Sequence, residues 1–239
     1  MPVYCITGTN RGLGLEFVRQ LAQDPANTIL ATARPSADLA DLRAVASENT
    51  HILPCDTGDV ESVRAFAKEA ARALGGGKID YLINNAGINQ TRAGESSLRV
   101  DTEHLARQLA VNVVGPAKTV QFLLEAGALA AAVRVVNLTS GLASMAGTLR
   151  GRGRECLGYS VSKAALNMLA IHQAADLRTE LDGALVIVMD PGWVKTRMGG
   201  PSAMLEPEVS IAGMLKVLHA LKDEDNAKFY HYDGSTREW

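Results

Sequence analysis

Tyr159 and Lys163 lie four residues apart in Tyr159-Ser160-Val161-Ser162-Lys163, within a helical pattern, so the phenol and the ammonium share one helix face. A tyrosine hydroxyl titrates near ~10 when unperturbed, and an adjacent ammonium lowers that value by stabilising the phenolate. Tyr159 is therefore a candidate general acid, although a surface tyrosine packed along a lysine stem has the same spacing. Upstream, the apolar run Val133–Leu138 delivers Thr139-Ser140, whose hydroxyls could orient a substrate carbonyl oxygen or cap a turn. Asn112 lies four residues before Pro116. Proline has no N–H for the carbonyl at i−4, so the Asn112 carbonyl is free to hold a water, or the helix kinks there to no purpose.

A second constellation is Thr7-Gly8-Thr9-Asn10-Arg11-Gly12-Leu13-Gly14, between the apolar run Val3–Ile6 and a helical pattern. Closely spaced glycines at a strand-to-helix junction let backbone N–H groups and a helix N-terminus approach a pyrophosphate, though an ordinary loop also fits. The second strand would end at Ala33-Arg34, where an acidic residue usually marks an NAD site. Arg34 and Arg11 together could hold a 2′-phosphate by charge-assisted hydrogen bonds, which points to NADP(H). The rival Asp38 is assigned instead to the first turn of the next helix, with Ser36 as its cap. Asp56, before Thr57, could accept from an adenine amino group or cap the following helix. Asn84-Asn85-Ala86-Gly87 offers small residues against which a ribose could lie and amides that could tie neighbouring loops together.

These residues need a frame, and β-type runs alternate with helical patterns along the whole chain. Strands are predicted at Val3–Ile6, Thr28–Ala33, His51–Cys55, Tyr81–Asn84, Val133–Leu138, Leu185–Asp190 and Phe229–Tyr232. Helices are predicted at Leu15–Leu21, Leu39–Val45, Val60–Leu74, Glu103–Glu125, Tyr159–Leu181 and Val209–Leu221. Such alternation predicts an α/β, doubly wound, mostly parallel seven-stranded sheet with helices on both faces, a Rossmann fold binding ligands at its carboxyl edge. With 239 residues, 47% of them hydrophobic, the chain is expected to form one domain over 1–239.

A formal net charge of −2 argues against a nucleic-acid surface, and no apolar run approaches membrane-spanning length. With a strand starting at Val3 there is no room for a secretory signal, so a cytoplasmic location is expected and the acceptor-like tripeptides at Asn89 and Asn137 are accidental. Cys5, Cys55 and Cys156 are an odd number without metal-site spacing, so neither a disulfide nor a metal is expected.

Taken together, Thr7–Gly14, Asn84–Gly87, Tyr159–Lys163 and Pro191-Gly192-Trp193-Val194-Lys195-Thr196 resemble, in order and spacing, the motifs of the short-chain dehydrogenases/reductases. The turn, the segment 191–200 and the ending Phe229–Gly234 further resemble the C-factor and sniffer-type carbonyl reductases within that family. The resemblance implies a catalytic tetrad of Asn112, Ser140, Tyr159 and Lys163. Ser140 would hold the carbonyl oxygen, Tyr159 would donate the proton, Lys163 would bind the nicotinamide ribose, and the Asn112 backbone would hold a water. It implies NADP(H) contacts from Gly8, Asn10, Arg11, Gly12, Leu13, Arg34, Asp56, Thr57, Asn85, Ala86, Gly87, Tyr159, Lys163, Pro191, Gly192, Val194 and Thr196. Val194 would meet the carboxamide and Thr196 the pyrophosphate. The implied activity is reduction of a ketone or aldehyde, with a silent dinucleotide-sensing or signalling protein as the alternative.

One departure is the long run between Ser140 and Tyr159, which contains Arg150-Gly151-Arg152-Gly153-Arg154 and leaves Ser144 as a substitute for Ser140. The arginines could hold an anionic substrate group or form a solvated loop. Met145, Leu149, Trp193, Met198 and Met204 would flank an apolar, adaptable substrate pocket. The helix after Lys163 is apolar over more than one stripe, from Ala164 to Ala175, which suggests a partner helix or tight burial within one chain; the resemblance implies the former, in a homodimer or homotetramer.

Overall fold

Strand β1 (Val3–Ile6) is buried at all four positions, and the chain winds outward from it in both directions. A computed structural model describes residues 1–91, 95–151 and 154–239. The remaining strands are β2 (Thr28–Ala33), β3 (Thr50–Pro54), β4 (Ile79–Asn84), β5 (Leu129–Leu138), β6 (Leu185–Asp190) and β7 (Phe229–His231). They form one seven-stranded sheet in the order β3-β2-β1-β4-β5-β6-β7, and every neighbouring pair is parallel. The order reverses between β1 and β4, so the loops after these strands diverge and open a crevice at the carboxyl edge.

Side chains alternate across the sheet, and two cores result. On one face Cys5, Leu30, Leu82, Val135 and Val186 meet α3 (Val60–Ala73), α5 (Gly115–Glu125) and α7 (Leu157–Glu180) through Phe66, Phe122, Leu123, Ala170 and Ala174. On the other, Ile6, Ile29, Ile83, Val136 and Ile187 meet α1 (Gly12–Leu21), α2 (Ala40–Val45) and α8 (Pro207–Ala220) through Phe17, Val18, Leu42, Ile211 and Met214. A buried amide chain pins α7 to the sheet: Asn84 Nδ2 donates to Asn137 Oδ1 (2.8 Å), and Asn137 Nδ2 donates to Gln173 Oε1 (3.0 Å).

Several expectations need correction. The single helix expected over Glu103–Glu125 is α4 (Thr102–Leu109), a π-helical turn at Ala110–Val114, and α5. Pro116 offers Asn112 no donor, and just ahead of it the ladder widens to a five-residue spacing in which Gly115 N donates to Ala110 O. Asp59, not Asp56, caps α3 by accepting from the N–H groups of Glu61 and Ser62. Ser36 caps nothing and Asp38 precedes α2, where its carboxylate accepts from Ala40 N (2.9 Å). Strand β5 begins four residues earlier than predicted, in an alanine-rich stretch without a β-branched residue, because Leu129 pairs with Ile79 across a register irregularity. Helix α6 (Met145–Leu149), capped by Ser144, went unpredicted; five residues are too few for periodicity to register. Among the described residues no helix is long and apolar enough to cross a membrane.

Candidate active site

The glycine turn is locked to the loop after β4. Asn85 Nδ2 donates to the carbonyls of Thr7 (2.7 Å) and Gly8 (3.0 Å), and Ala86 N donates to Thr7 Oγ1 (3.0 Å). Gly8 has φ +72, and a side chain there would press on the Ala86 backbone at 3.0 Å. At Gly14 a methyl group would collide with the Gly8 carbonyl and with Asn85 Nδ2, so the strand-to-helix approach requires glycine. Thr196 closes the other side, its methyl 3.7 Å from where a Gly12 Cβ would stand. Arg11 precedes α1 and Arg34 follows β2; both are exposed, and neither guanidinium has a carboxylate partner among the described residues. Asn10, Gly12 and Leu13 are half-buried beside them. Backbone donors, missing Cβ atoms and free cations at one strand edge are the features a phosphorylated dinucleotide requires.

Helix α7 and the loop after β5 bring Ser140, Tyr159 and Lys163 together. The Ser140 hydroxyl accepts from Leu142 N (3.2 Å), so it caps its turn, and it stands close enough to the Tyr159 phenol to favour the phenolate. Lys163 is 4% exposed and its Nζ donates to the Leu138 carbonyl (2.6 Å), lying 5.8 Å from the Tyr159 ring centroid. Asn112, fully buried in the π-helical turn, spends its side chain on structure: Oδ1 accepts from Ile88 N (2.8 Å), and Nδ2 donates to Ile88 O (2.9 Å) and Ser162 Oγ (3.0 Å). A Cβ on Gly87 would stand 3.3 Å from Asn112 Oδ1 and 3.5 Å from Lys163 Nζ, so these groups meet at one point over the turn.

The expectation that Lys163 lowers the Tyr159 pKa is not met. Burial pushes the phenol up, the Asp190 and Cys156 side chains push it further, and the Ser140 hydroxyl opposes them. The lysine is directed at a carbonyl instead, and burial brings its own pKa down from 10.5 to about 8. Sequence reasoning also missed Asp190, whose side chain is 5% exposed at the end of β6, and Arg237, whose Nε lies 2.7 Å from Asp190 Oδ2. A carboxylate at the end of an otherwise apolar strand was the available signal.

The other candidates fall as follows. Ser144 turns away to accept from Gly147 N (2.9 Å), which leaves Ser140 as the serine at Tyr159. Asp56 Oδ1 accepts from Gly58 N (2.9 Å), and Thr57 is buried with its carbonyl against Gly115. Val194 is buried and bridges to Leu205, Gly192 takes φ +79 after Pro191, and Thr196 Oγ1 accepts from Gly199 N (3.1 Å). Arg150 pairs with Glu238, while Arg154 donates to the Thr148 and Leu149 carbonyls (3.2 and 3.3 Å). Both are thus engaged within the fold, and Arg152 and Gly153 lie outside the described residues.

The buried lysine has a pH signature. Its pKa is lower folded than unfolded, so between about pH 8 and 10.5 the unfolded chain holds the extra proton and stability rises with pH. Urea unfolding at pH 8 and pH 10 should show wild type gaining about 2 kcal/mol more than Lys163→Met over that interval. Equal gains in the two proteins would show that Lys163 does not titrate there.

Residues 2–204 match the family model for short chain dehydrogenase. The C-signal protein of Myxococcus xanthus is 36% identical over 177 residues, which span 74% of this chain and all of that protein. Among solved structures, an NADPH-bound carbonyl reductase from chicken fatty liver superposes with a TM-score of 0.91 at 30% identity, covering both chains completely. The carbonyl reductase Sniffer of D. melanogaster does so with a TM-score of 0.88 at 27% identity, again over both full chains. On this evidence of sequence and fold, the chain belongs to the short-chain dehydrogenase/reductase family of oxidoreductases.

Proposed function

We propose that the protein is an NADP(H)-dependent carbonyl reductase acting on a small ketone or aldehyde. The observation that carries this is the meeting of the Ser140 hydroxyl, the Tyr159 phenol and the Lys163 ammonium at the carboxyl edge of the sheet, beside the glycine turn. The turn and its free arginines suit the cofactor, and the carbonyl reductase from chicken fatty liver carries NADPH. When bound, NADPH supplies the hydride that forms the new C–H bond at the carbonyl carbon. Ser140 donates to the carbonyl oxygen and fixes its position. Tyr159 transfers its proton to that oxygen as the C=O π bond opens, leaving a phenolate. With its pKa raised by burial, the phenol is fully protonated at neutral pH, and the Ser140 hydroxyl is the group beside it that favours the phenolate as it forms.

Asn112 holds a water on its backbone carbonyl, through which Lys163 exchanges protons with solvent. Ala86 and Gly87 back the ribose, Asp56 takes the adenine amino group, Val194 the carboxamide and Thr196 the pyrophosphate. The exposed side chains of Met145, Leu149, Trp193, Met198 and Met204 supply an apolar, adaptable substrate rim. Replacing Tyr159 by Phe should leave NADPH binding, followed by fluorescence, intact while turnover of aromatic aldehydes and quinones falls by about a hundredfold or more. Retained turnover would overturn the assignment.

Cofactor choice rests on Arg11 and Arg34. In Arg11→Ala/Arg34→Asp the KM for NADPH should rise by about tenfold or more while that for NADH does not, because two charge-assisted hydrogen bonds to the 2′-phosphate are lost. The likeness to C-signal favours a second reading, a signalling protein that binds dinucleotide without turning it over. Tight NADPH binding with no consumption across aldehydes, ketones and quinones would select it.

The protein is further proposed to form a homodimer or homotetramer through α7, whose Val161, Met168, Ile171 and Ala175 make an exposed stripe at helical spacing, with Val114 exposed in the π-helical turn. Sedimentation equilibrium should give a mass of two or four chains, and Met168→Glu/Ile171→Glu should reduce it to one. A wild-type monomer at micromolar concentration would rule out this assembly.

A further inference from the structure

The carboxylate of Asp190 stands under the proton-transfer site and is held there from several sides. β5 and β6 run in register, Leu138 opposite Met189, and Thr139 N donates to Met189 O (2.9 Å), so Asp190 emerges beside Ser140. Its Oδ1 accepts from Gly192 N (3.0 Å). A Cβ on Gly141, the residue after Ser140, would stand 2.9 Å from Asp190 Oδ2, so this loop lies directly on the carboxylate.

A carboxylate this buried needs a cation. Arg237 provides it from beyond β7: its Nε lies 2.7 Å from Oδ2, in an ion pair whose N–H is not aimed along the oxygen. The chain after β7 folds back to deliver that guanidinium. His231 N donates to Ser235 O (2.8 Å), Tyr230 bridges to Thr236, Arg237 N donates to Phe229 O (2.8 Å), and the Trp239 ring packs on Phe229 at 5.4 Å. His231 Nε2 is more distant, 3.9 Å from Asp190 Oδ2, and its Nδ1 is 3.1 Å from Asp233.

We propose that Arg237 is a positioning residue for carbonyl reduction: paired with Asp190, it forms a charge-compensated support beneath Ser140 and Tyr159 that governs proton transfer from the tyrosine. The inference rests on Tyr159 being the proton donor. The charged and titratable groups around Tyr159 are Asp190 at the end of β6, Cys156 just ahead of its own helix and Lys163 on it, with Ser140 in the loop after β5, while Glu95 approaches that helix at Gly158. Of these, the Asp190 charge opposes phenolate formation, and the Arg237 guanidinium, 2.7 Å from that carboxylate, carries the compensating charge. Without the guanidinium the phenol becomes a weaker acid, and the cost falls on proton donation rather than on cofactor binding.

The test measures kcat/KM for 4-nitrobenzaldehyde with saturating NADPH as a function of pH, in the full-length chain. Arg237→Leu should lower the rate at pH 7 by about tenfold and move the alkaline limb to higher pH, with NADPH binding unchanged. Arg237→Lys should hold the limb near its wild-type position. Asp190→Asn should move it to lower pH, and Asp190→Asn/Arg237→Leu should bring it back to or below wild type because no net charge remains to compensate. Should Arg237→Leu fail to fold, the opposite shift in Asp190→Asn carries the test alone. Superimposable profiles in all variants, or no recovery in the double variant, would overturn the proposal while leaving an inactive Tyr159→Phe, and the assignment of the proton donor, intact.

Discussion

An ammonium group out of water, tied to a strand-end carbonyl, is the constraint from which the rest of the site follows. Lys163 is 4% exposed, donates to Leu138 O, and has a pKa near 8 instead of 10.5. Keeping that charge at neutral pH costs on the order of 3 kcal/mol, which packing must offset. A lysine on an exposed helix face would avoid the cost and lose its fixed place. The buried amide chain from Asn84 through Asn137 to Gln173 serves the same end, since it holds α7 against β4 and β5 where sliding would separate Tyr159 from the loop after β5.

The fold supplies this constraint cheaply because the parallel sheet brings the ends of β1, β4, β5 and β6 to one edge. At that edge the Asn85 amide spans from the loop after β4 to the glycine turn after β1, and Gly87 in the same loop lies between Asn112 of the π-helical turn and Lys163 Nζ. The proposed cofactor cradle and the proposed proton donor thus share one set of backbone anchors. Movement of either would disturb the other.

Electrostatics at the site run against the simplest expectation. The motif suggests a tyrosine made acidic by its lysine, yet here the phenol is held above its ordinary range by burial and by Asp190, and the lysine is the group whose proton is loosened. Burial dominates both shifts and acts in opposite directions, because it disfavours a phenolate and an ammonium alike. Sequence spacing identifies the pair but carries no information about the dielectric around it.

How much of this was legible in the chain itself divides along physical lines. Strands β1, β2 and β6 were readable to the residue, because a strand buried on both faces is a continuous apolar run bounded by polar turns. The glycine turn, Asn84–Gly87 and Tyr159/Lys163 were readable as candidates, since close backbone approach and a four-residue helical spacing each restrict residue type locally. The π-helical turn, the early start of β5, Asp59 as the cap of α3, the choice of Ser140 over Ser144 and the pairing of Asp190 with Arg237 were decided only by the tertiary structure. Each depends on a partner distant in sequence or on competition between near-equal local options, and such choices are settled by packing, which no window of neighbouring residues contains.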